Sequence, residues 1–252
     1  LSPDTALDLH VVCNGVSKRR RAAIAALCDA RGARCTFHEA QSGFEVLPGL
    51  RGNRTPYQVL TLPHRIGARR IVYLDADTLP LCDLTALAEA DLDGHAVGAV
   101  SWDETAASAL QRDFYRAVGL AEDTPVFNSG VLAIDRERWL RDRVTERCLE
   151  VGQRFADVIQ GADQPLLNAA LQGRFKPLDR RSNVRAPPAL DRPVPPATVL
   201  PCLGPPPPSR APPRPRRSPR PPPCPRAACP APPRAPGTPG EAPIGGGCRE
   251  RG

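Results

Sequence analysis

Residues 1–185 of this 252-residue chain are predicted to form an α/β fold, and residues 186–252 a disordered tail. Two observations predict the fold: short apolar runs of strand length alternate with longer helical segments, and glycine or proline marks many of the breaks between them. One observation predicts the tail, because 24 of the 32 prolines lie from Ala186 onward. A segment so rich in proline and arginine cannot bury enough apolar surface to pack a core.

Five short segments are predicted as the strands of the sheet, at residues 7–13, 35–39, 71–74, 96–100 and 131–134. The third run, Ile71-Val72-Tyr73-Leu74, is apolar throughout, which is typical of a strand buried on both faces. Helix signals lie between the runs. Ser17 is a candidate N-cap for the first helix, and glycine ends several of the others. The predicted helices cover residues 17–32, 56–66, 106–118, 137–154 and 165–171.

Charge is divided unevenly between the two parts. The net charge of +7 belongs entirely to residues 186–252, so the body is neutral and no nucleic-acid partner is expected for it. The nine cysteines form no C-x-x-C pair, which favours free thiols and a cytoplasmic location. No apolar run approaches the roughly 18 residues of a membrane span. Lys18 and the three arginines after it are expected on the solvated face of the first helix, with peripheral contact to the inner membrane face as the alternative.

The first candidate site is Asp75-Ala76-Asp77, directly after the 71–74 strand. Ligands of α/β sheets bind at the carboxyl ends of strands, and paired carboxylates suit Mg²⁺ or Mn²⁺. Such a cation would stabilise a diphosphate leaving group. A strand-ending aspartate is also a common turn former, and D-x-D alone does not choose between the two interpretations. Haloacid dehalogenase-type phosphohydrolases also begin this way, but they need D-x-D-x-T, whereas Thr78 adjoins Asp77.

Two further polar segments follow. Residues 127–135 begin Phe127-Asn128-Ser129-Gly130 and then enter an apolar strand, so Asn128 can hydrogen-bond a sugar hydroxyl or simply form a turn. Asp163-Gln164 precedes the last predicted helix. Asp163 is either the N-cap of that helix or a carboxylate that faces a sugar together with the Gln164 amide.

Three motifs, taken in their order along the chain, resemble the signatures of family-eight glycosyltransferases. They are Tyr73-Leu74-Asp75-Ala76-Asp77, Phe127-Asn128-Ser129-Gly130-Val131 and Asp163-Gln164. The stretch at residues 10–17 is similar to the second strand of that family and the turn after it. The resemblance covers most of residues 5–185. It implies an incomplete glycosyltransferase A-type catalytic domain over residues 1–185, a Rossmann-like mixed sheet flanked by helices, that lacks the family's opening strand.

The resemblance also implies a function: transfer of a hexose from a UDP-hexose, such as UDP-galactose or UDP-glucose, to a glycan or lipopolysaccharide-type acceptor with retention of configuration. Asp75 and Asp77 would hold Mn²⁺ or Mg²⁺. Asp103, Asn128 and Asp163 would contact the donor sugar. Gln164 matches the position that faces the anomeric carbon, where an amide would act as electrostatic support or as a transient nucleophile.

Two departures from the family pattern bear on activity. Gln58 stands where the family has an arginine, which removes a cation near the donor. The family completes its metal site with a late histidine, but the four histidines here are at positions 10, 38, 64 and 95, all before Asp163. These losses leave an inactive sugar-nucleotide-binding remnant as one alternative to the enzyme.

The tail suggests two further hypotheses. Its composition, rich in proline, arginine, alanine and glycine, is what a GC-rich gene gives when read out of frame, so a frameshift near residue 185 is one explanation. The other is a real basic polyproline segment that binds a partner.

Overall fold

Strands and helices alternate along the part of the chain that the computed structural model describes, which is residues 7–50, 52–81 and 83–184 and the backbone of Val199–Pro201. The strands are β1 (Asp8–Cys13), β2 (Arg34–Glu39), β3 (Arg70–Leu74), β4 (Thr78–Pro80), β5 (Val97–Val100), β6 (Asn128–Asp135), β7 (Lys176–Pro177) and β8 (Val199–Pro201). The helices are α1 (Lys18–Asp29), α2 (Leu62–Arg65), α3 (Thr85–Ala88), α4 (Arg112–Val118), α5 (Arg136–Arg141), α6 (Val144–Arg154) and α7 (Asp163–Leu171), with 3-10 helices at Thr55–Thr61 and Arg180–Ser182.

A mixed four-stranded sheet with the order β3-β6-β5-β7 forms the centre. β6 is antiparallel to both β3 and β5, and β7 is parallel to β5. Residues 129–134 of β6 are buried, as expected for a strand covered on both faces. The antiparallel register pairs Leu74 with Val131, so the carboxyl end of β3 lies beside the amino end of β6. This pairing places the two polar segments predicted from the sequence side by side.

The first unit of the fold is the parallel pair β1–β2, joined by α1. The side-chain oxygen of Ser17 accepts a hydrogen bond from the backbone N–H of Arg20, which confirms the predicted N-cap. The guanidinium of Arg21 binds Glu39 at the end of β2. Both contacts hold the amino-terminal turn of α1. No helix within the described ranges is long and apolar enough to span a membrane.

The main core packs α7 against the central sheet and the 3-10 helix at Thr55–Thr61. Trp139 of α5 is fully buried, and its indole N–H donates to the Thr145 hydroxyl at 2.9 Å. The Thr145 hydroxyl in turn donates to the Leu60 carbonyl at 2.7 Å. One hydroxyl thus connects α5, α6 and the 3-10 helix.

Three predicted helices differ from the structure. Residues 56–66 form a 3-10 helix and then α2, with a proline in the first turn of each. Residues 106–111 are not helical, because the amides of Ala106 and Ala107 bond to the carbonyls of Thr124 and Glu122. The predicted helix at 137–154 is broken at Asp142 and Arg143, and Arg143 has a left-handed φ of 52°.

One strand appears where the sequence predicted none. β8 pairs antiparallel with β4, with Leu200 opposite Leu79. Thr198, Val199 and Leu200 form a run of β-favouring residues within the proline-rich text, and the prolines at the strand ends need no donor there. The prediction that residues 186–252 contain no element is therefore wrong at residues 199–201. The rest of that segment, with the frameshift and partner-binding hypotheses, lies outside the described residues.

Candidate active site

The candidate site lies where β3 ends and β6 begins. The backbone N–H of Asp75 donates to the Gly130 carbonyl at 2.8 Å, so the pairing of the two strands continues one residue past β3. Asp75 is half-buried and Asp77 is exposed. The turn between them is closed by Thr78, whose backbone N–H and hydroxyl both donate to the Asp75 carbonyl. The turn-forming interpretation therefore applies to the Asp75 backbone and leaves its side chain available.

The Asp75 carboxylate has a fixed orientation. The Tyr73 hydroxyl donates to its Oδ1 at 2.7 Å, and burial together with the nearby Asp77 raises the pKa of Asp75 despite that bond. Burial and the same carboxylates raise the pKa of Tyr73, so the phenol stays a donor. A cation bound beside the two carboxylates would offset the repulsion that Asp77 exerts on Asp75.

Glycine at position 130 lets this carboxylate lie against the backbone of β6. A Cβ on Gly130 would come within 3.1 Å of Asp75 Oδ2 and 3.0 Å of Asn128 Oδ1. Those distances are tighter than normal van der Waals contact, so any other residue would push one of the two side chains away. The Asn128-Ser129-Gly130 segment therefore also allows the Asp75 carboxylate to lie close to the backbone of β6.

Asn128 is bonded to the start of α7. Its Nδ2 donates to Gln164 Oε1 at 2.9 Å, and its Oδ1 accepts from the Gly130 N–H at 2.9 Å. Asn168, one turn further along α7, bonds both the N–H and the C=O of Phe127 at 2.9 Å. The entrance of β6 and the amino-terminal half of α7 are thus held together by three side-chain amides.

Asp163 is the most buried carboxylate of the candidate site, with 6% of its surface exposed. Burial raises its pKa to about 7, and the Asp75 charge adds to the shift, although the Ser129 hydroxyl and backbone N–H groups bind the carboxylate and oppose it. Its Oδ2 is buried and has no hydrogen-bond partner within the described part of the chain. Ala162 occupies the N-cap position and Asp163 is the first helical residue, so the N-cap interpretation is wrong.

Asp103 is placed differently from the other predicted donor contacts. It is exposed, forms an ion pair with Arg180, and follows Trp102 in a turn where both residues have left-handed φ angles of 61° and 49°. No hydrogen bond joins Asp103 to Asn128 or Asp163 among the described residues. The structure therefore brings together Asp75, Asn128, Asp163 and Gln164, with Asp77 two residues from Asp75, and leaves Asp103 on the surface.

Within the part of the chain that the structure describes, Asp75 and Asp77 are two carboxylates that could hold a cation, and no third side-chain ligand joins them. Nowhere in the described ranges do three His, Cys, Asp or Glu side chains converge closely enough to hold a metal ion. Asp75 and Asp77 provide hard oxygen ligands of the type that Mg²⁺ and Mn²⁺ use, and a bound diphosphate could supply further oxygens. The donor set fits a cation shared with a substrate better than a permanently bound one.

Gln58, the position where a cation was expected, has a structural contact. It is buried, its Oε1 accepts from the Gln41 N–H, and its Nε2 donates to the Gln41 carbonyl, each at 2.8 Å. Both ends of the amide are therefore engaged by the backbone after β2.

Asn183 is a site residue that sequence reasoning did not select. It is 1% exposed, and its Nδ2 donates to Asn128 Oδ1 at 2.8 Å. Its carbonyl accepts from the Trp102 indole at 2.7 Å. The contact joins residues 55 positions apart in the chain, so no local pattern could have indicated it.

The fold and these site residues can be compared with known proteins. The chain superposes on the galactosyltransferase LgtC, solved in complex with donor and acceptor sugar analogues, with a TM-score of 0.67 and 28% identity over 81% of this chain and 78% of that one. It also shares its fold with the glycosyltransferase GlyE of Streptococcus pneumoniae, with a TM-score of 0.57. The structure is therefore the glycosyltransferase A-type fold predicted from the sequence.

Sequence relatives agree. The chain is 27% identical to general stress protein A of Bacillus subtilis over 137 residues, 52% of this chain and 46% of that protein. It is 32% identical to the lipopolysaccharide 1,2-glucosyltransferase of Escherichia coli over 118 residues, 45% of this chain and 33% of that enzyme. The chain thus spans less than half the length of these relatives. The family model for glycosyl transferase family 8 matches residues 60–189, just over half of the chain. The chain belongs to glycosyl transferase family 8.

Proposed function

We propose that the chain transfers a hexose from a UDP-hexose to the hydroxyl of a glycan or lipopolysaccharide-type acceptor, with retention of anomeric configuration. The observation that carries the proposal is that Asp75 lies beside Asn128, Asp163 and Gln164 at one edge of the sheet. Asp77 follows two residues after Asp75. The relatives named as a galactosyltransferase and a lipopolysaccharide glucosyltransferase support the sugar and acceptor classes.

In this reaction the bond between the anomeric carbon and the diphosphate breaks, and the acceptor oxygen bonds to that carbon and loses its proton. Asp75 and Asp77 would hold Mn²⁺ or Mg²⁺, which when bound neutralises charge on the leaving diphosphate. Tyr73 would keep Asp75 directed at the cation through its hydroxyl. The role proposed for Asp75 and Asp77 is therefore to stabilise the departing diphosphate through the cation.

The donor sugar would lie between β6 and α7. Asn128 and Asp163 have polar groups there, and the unpartnered Oδ2 of Asp163 is suited to accept from a sugar hydroxyl. Asp103 would reach the sugar only after separating from Arg180. Gln164 would face the anomeric carbon with its carbonyl dipole, which stabilises developing positive charge. A solved glutamine-to-glutamate active-site mutant of LgtC supports an active-site glutamine in this fold.

Calorimetric titration of the full chain with UDP-galactose or UDP-glucose, with and without Mn²⁺, tests the proposal. We expect binding that requires Mn²⁺ and is lost in Asp75→Asn/Asp77→Asn. The matched control is Asp123→Asn/Asp157→Asn, which removes the same charge from exposed positions. Equal binding by both double variants would contradict the assignment of the carboxylate pair.

An inactive remnant that binds the sugar nucleotide is the second candidate. The observation in its favour is Gln58, whose amide is fully engaged by the Gln41 backbone and cannot replace the arginine expected at this position. The two candidates differ in turnover. The enzyme releases UDP in a Mn²⁺-dependent reaction that Gln164→Ala slows, whereas the remnant binds the donor and releases none.

We also propose that α1 brings the protein to the inner face of the cytoplasmic membrane. Lys18, Arg19 and Arg20 are exposed, whereas Arg21 pairs with Glu39. Sedimentation with vesicles of anionic lipid should decrease in Arg19→Gln/Arg20→Gln. Sedimentation equal to that of the unchanged chain would contradict this role.

A further inference from the structure

Asn183 connects three parts of the molecule. It follows the 3-10 helix at Arg180–Ser182 and is buried, with 1% of its surface exposed. Its backbone carbonyl accepts from the Trp102 indole N–H at 2.7 Å, and its side-chain Nδ2 donates to Asn128 Oδ1 at 2.8 Å. The Trp102 contact fixes the backbone of Asn183, and the amide is presented to Asn128 from that fixed point.

The bond from Asn183 determines which way the Asn128 amide points. Asn128 Oδ1 accepts from two donors, the Asn183 side chain and the Gly130 backbone N–H at 2.9 Å. A flipped amide would place its NH₂ against both donors and leave two hydrogen bonds unmade, each with a sizeable cost in a buried site. The Asn128 Oδ1 atom is therefore held on the side of Asn183 and Gly130.

With the oxygen held, Asn128 Nδ2 faces α7 and donates to Gln164 Oε1 at 2.9 Å. Within the described part of the chain this is the one hydrogen bond made by the Gln164 side chain. The orientation of Gln164 thus depends on Asn128, and the orientation of Asn128 depends on Asn183 and Gly130. The three amides form a relay of two hydrogen bonds, from Asn183 Nδ2 to Asn128 Oδ1 and from Asn128 Nδ2 to Gln164 Oε1.

A purely structural role fits Asn183 poorly. Its Oδ1 is buried and has no hydrogen-bond partner among the described residues, so the side chain retains an unsatisfied polar atom inside the fold. An unsatisfied buried acceptor destabilises a protein, and a functional role is one explanation for such a group. The position of the Asn183 side chain is therefore explained by the hydrogen bond that its Nδ2 donates to Asn128.

We propose that Asn183 is a positioning residue for sugar transfer: by fixing the Asn128 amide, it sets the direction of the Gln164 carbonyl. This inference rests on the proposed function, because it assigns Gln164 to the reacting centre. It adds a residue from the segment after α7 to a site otherwise built from the ends of β3, β6 and α7.

The first test needs no activity. Side-chain amide signals of Asn128 and Gln164 are recorded by ¹H–¹⁵N NMR in the full chain and in Asn183→Ala, Asn183→Asp and the matched control Asn53→Ala. We expect the Gln164 and Asn128 amide signals to shift in both Asn183 variants and to stay in place in Asn53→Ala. Unchanged Gln164 signals in a folded Asn183→Ala, with its melting transition retained, would overturn the inference. If Asn183→Ala does not fold, the Gln164 signals in Asn183→Asp decide the test. That variant keeps the size of the side chain but removes the donor.

The second test is kinetic and separates the inference from the proposed function. In Asn183→Ala we expect kcat for UDP release to fall about tenfold while KM for the donor changes less than about twofold. In the Gln164→Ala background, adding Asn183→Ala should cause no further loss, because the relay then has no endpoint. A second full loss of kcat in that background would overturn positioning through Gln164. Absence of UDP release in the unchanged chain would contradict the proposed function, and the NMR result would then judge the relay alone.

Discussion

At the scale of single residues, Asp163 links the stability of the fold to its candidate chemistry. Its carboxyl is buried beside Asp75, and its pKa is raised to about 7 from an ordinary value of 3.8. Between these two values the unfolded chain loses the proton and the folded chain keeps it. The folded state therefore binds more protons, and the free energy of unfolding decreases as pH rises from about 4 to about 7.

Asp163→Asn should remove this pH dependence. The neutral amide keeps an oxygen acceptor for the Ser129 hydroxyl and needs no deprotonation, so the variant should gain stability relative to the unchanged chain as pH rises. The gain should reach roughly 4 kcal/mol by pH 8, as an upper value for a shift of this size. Urea unfolding at pH 5 and pH 8 measures it. A stability difference that is the same at both pH values would contradict the burial of an acidic group with a raised pKa.

Gly130 allows a second prediction at this scale. Gly130→Ala places a methyl group within 3.1 Å of Asp75 Oδ2 and 3.0 Å of Asn128 Oδ1. One carboxylate or amide must move, so we expect Mn²⁺-dependent donor affinity to fall at least about tenfold, the equivalent of roughly 1.4 kcal/mol. The control is Gly67→Ala, where a Cβ meets nothing within 4 Å. Calorimetry on both variants provides the comparison, and equal affinities would show that the approach of Asp75 to β6 does not matter.

At the scale of elements, the break between α5 and α6 follows from packing. Trp139 and Val144 are both fully buried. In one continuous helix, five residues at 3.6 per turn would place these side chains about 140° apart, and one of them would face away from the core. The left-handed residue Arg143 redirects the chain so that both pack inward.

This geometry predicts opposite effects for two neighbouring substitutions. Arg143→Gly should stabilise the fold by about 1 kcal/mol, because glycine adopts a left-handed φ without the penalty of a Cβ. Arg141→Gly, two residues earlier and in the last turn of α5, should destabilise it by up to about 1 kcal/mol. Chemical unfolding of the two variants measures the sign of the change in the free energy of unfolding for each. A destabilised Arg143→Gly would mean that the arginine side chain makes contacts worth more than the backbone strain.

The same elements show how far the sequence determines the fold. The β3 strand and the β1–α1–β2 unit could be predicted, because apolar runs and the Ser17 cap are local signals. The break at Arg143 could not, since it depends on which faces of two helices meet the core. Asp75, Asn128 and Gln164 could be selected as candidate site residues, because they lie in three motifs that follow one another in a fixed order along the chain. Asn183 could not, because its partner Asn128 is 55 residues away and the contact exists only after folding.

At the scale of the whole molecule, the candidate site is assembled from distant parts of the chain. The carboxylate pair follows β3, Asn128 begins β6, Gln164 begins α7 and Asn183 follows the last 3-10 helix. The central sheet brings the first two together and α7 brings the third, so donor binding reports on the folding of all of them. We expect the site to depend also on the segment after Val184, of which β8 is the described part, because β8 pairs with β4.

Two shortened chains would test that dependence. β8 pairs with β4, which begins at Thr78 directly after Asp77. A chain that ends after Pro206 keeps β8 and loses proline-rich sequence that cannot build a core, so its melting temperature and donor affinity should match the full chain. A chain that ends after Val184 loses the backbone pairing to β4, and we expect its Mn²⁺-dependent affinity for UDP-hexose to fall about tenfold, as for the loss of one or two net hydrogen bonds. Equal affinities for the two shortened chains would show that Asp77 is held without β8, whereas weakened binding only in the shorter one would support a role of residues 185–206 in holding Asp77.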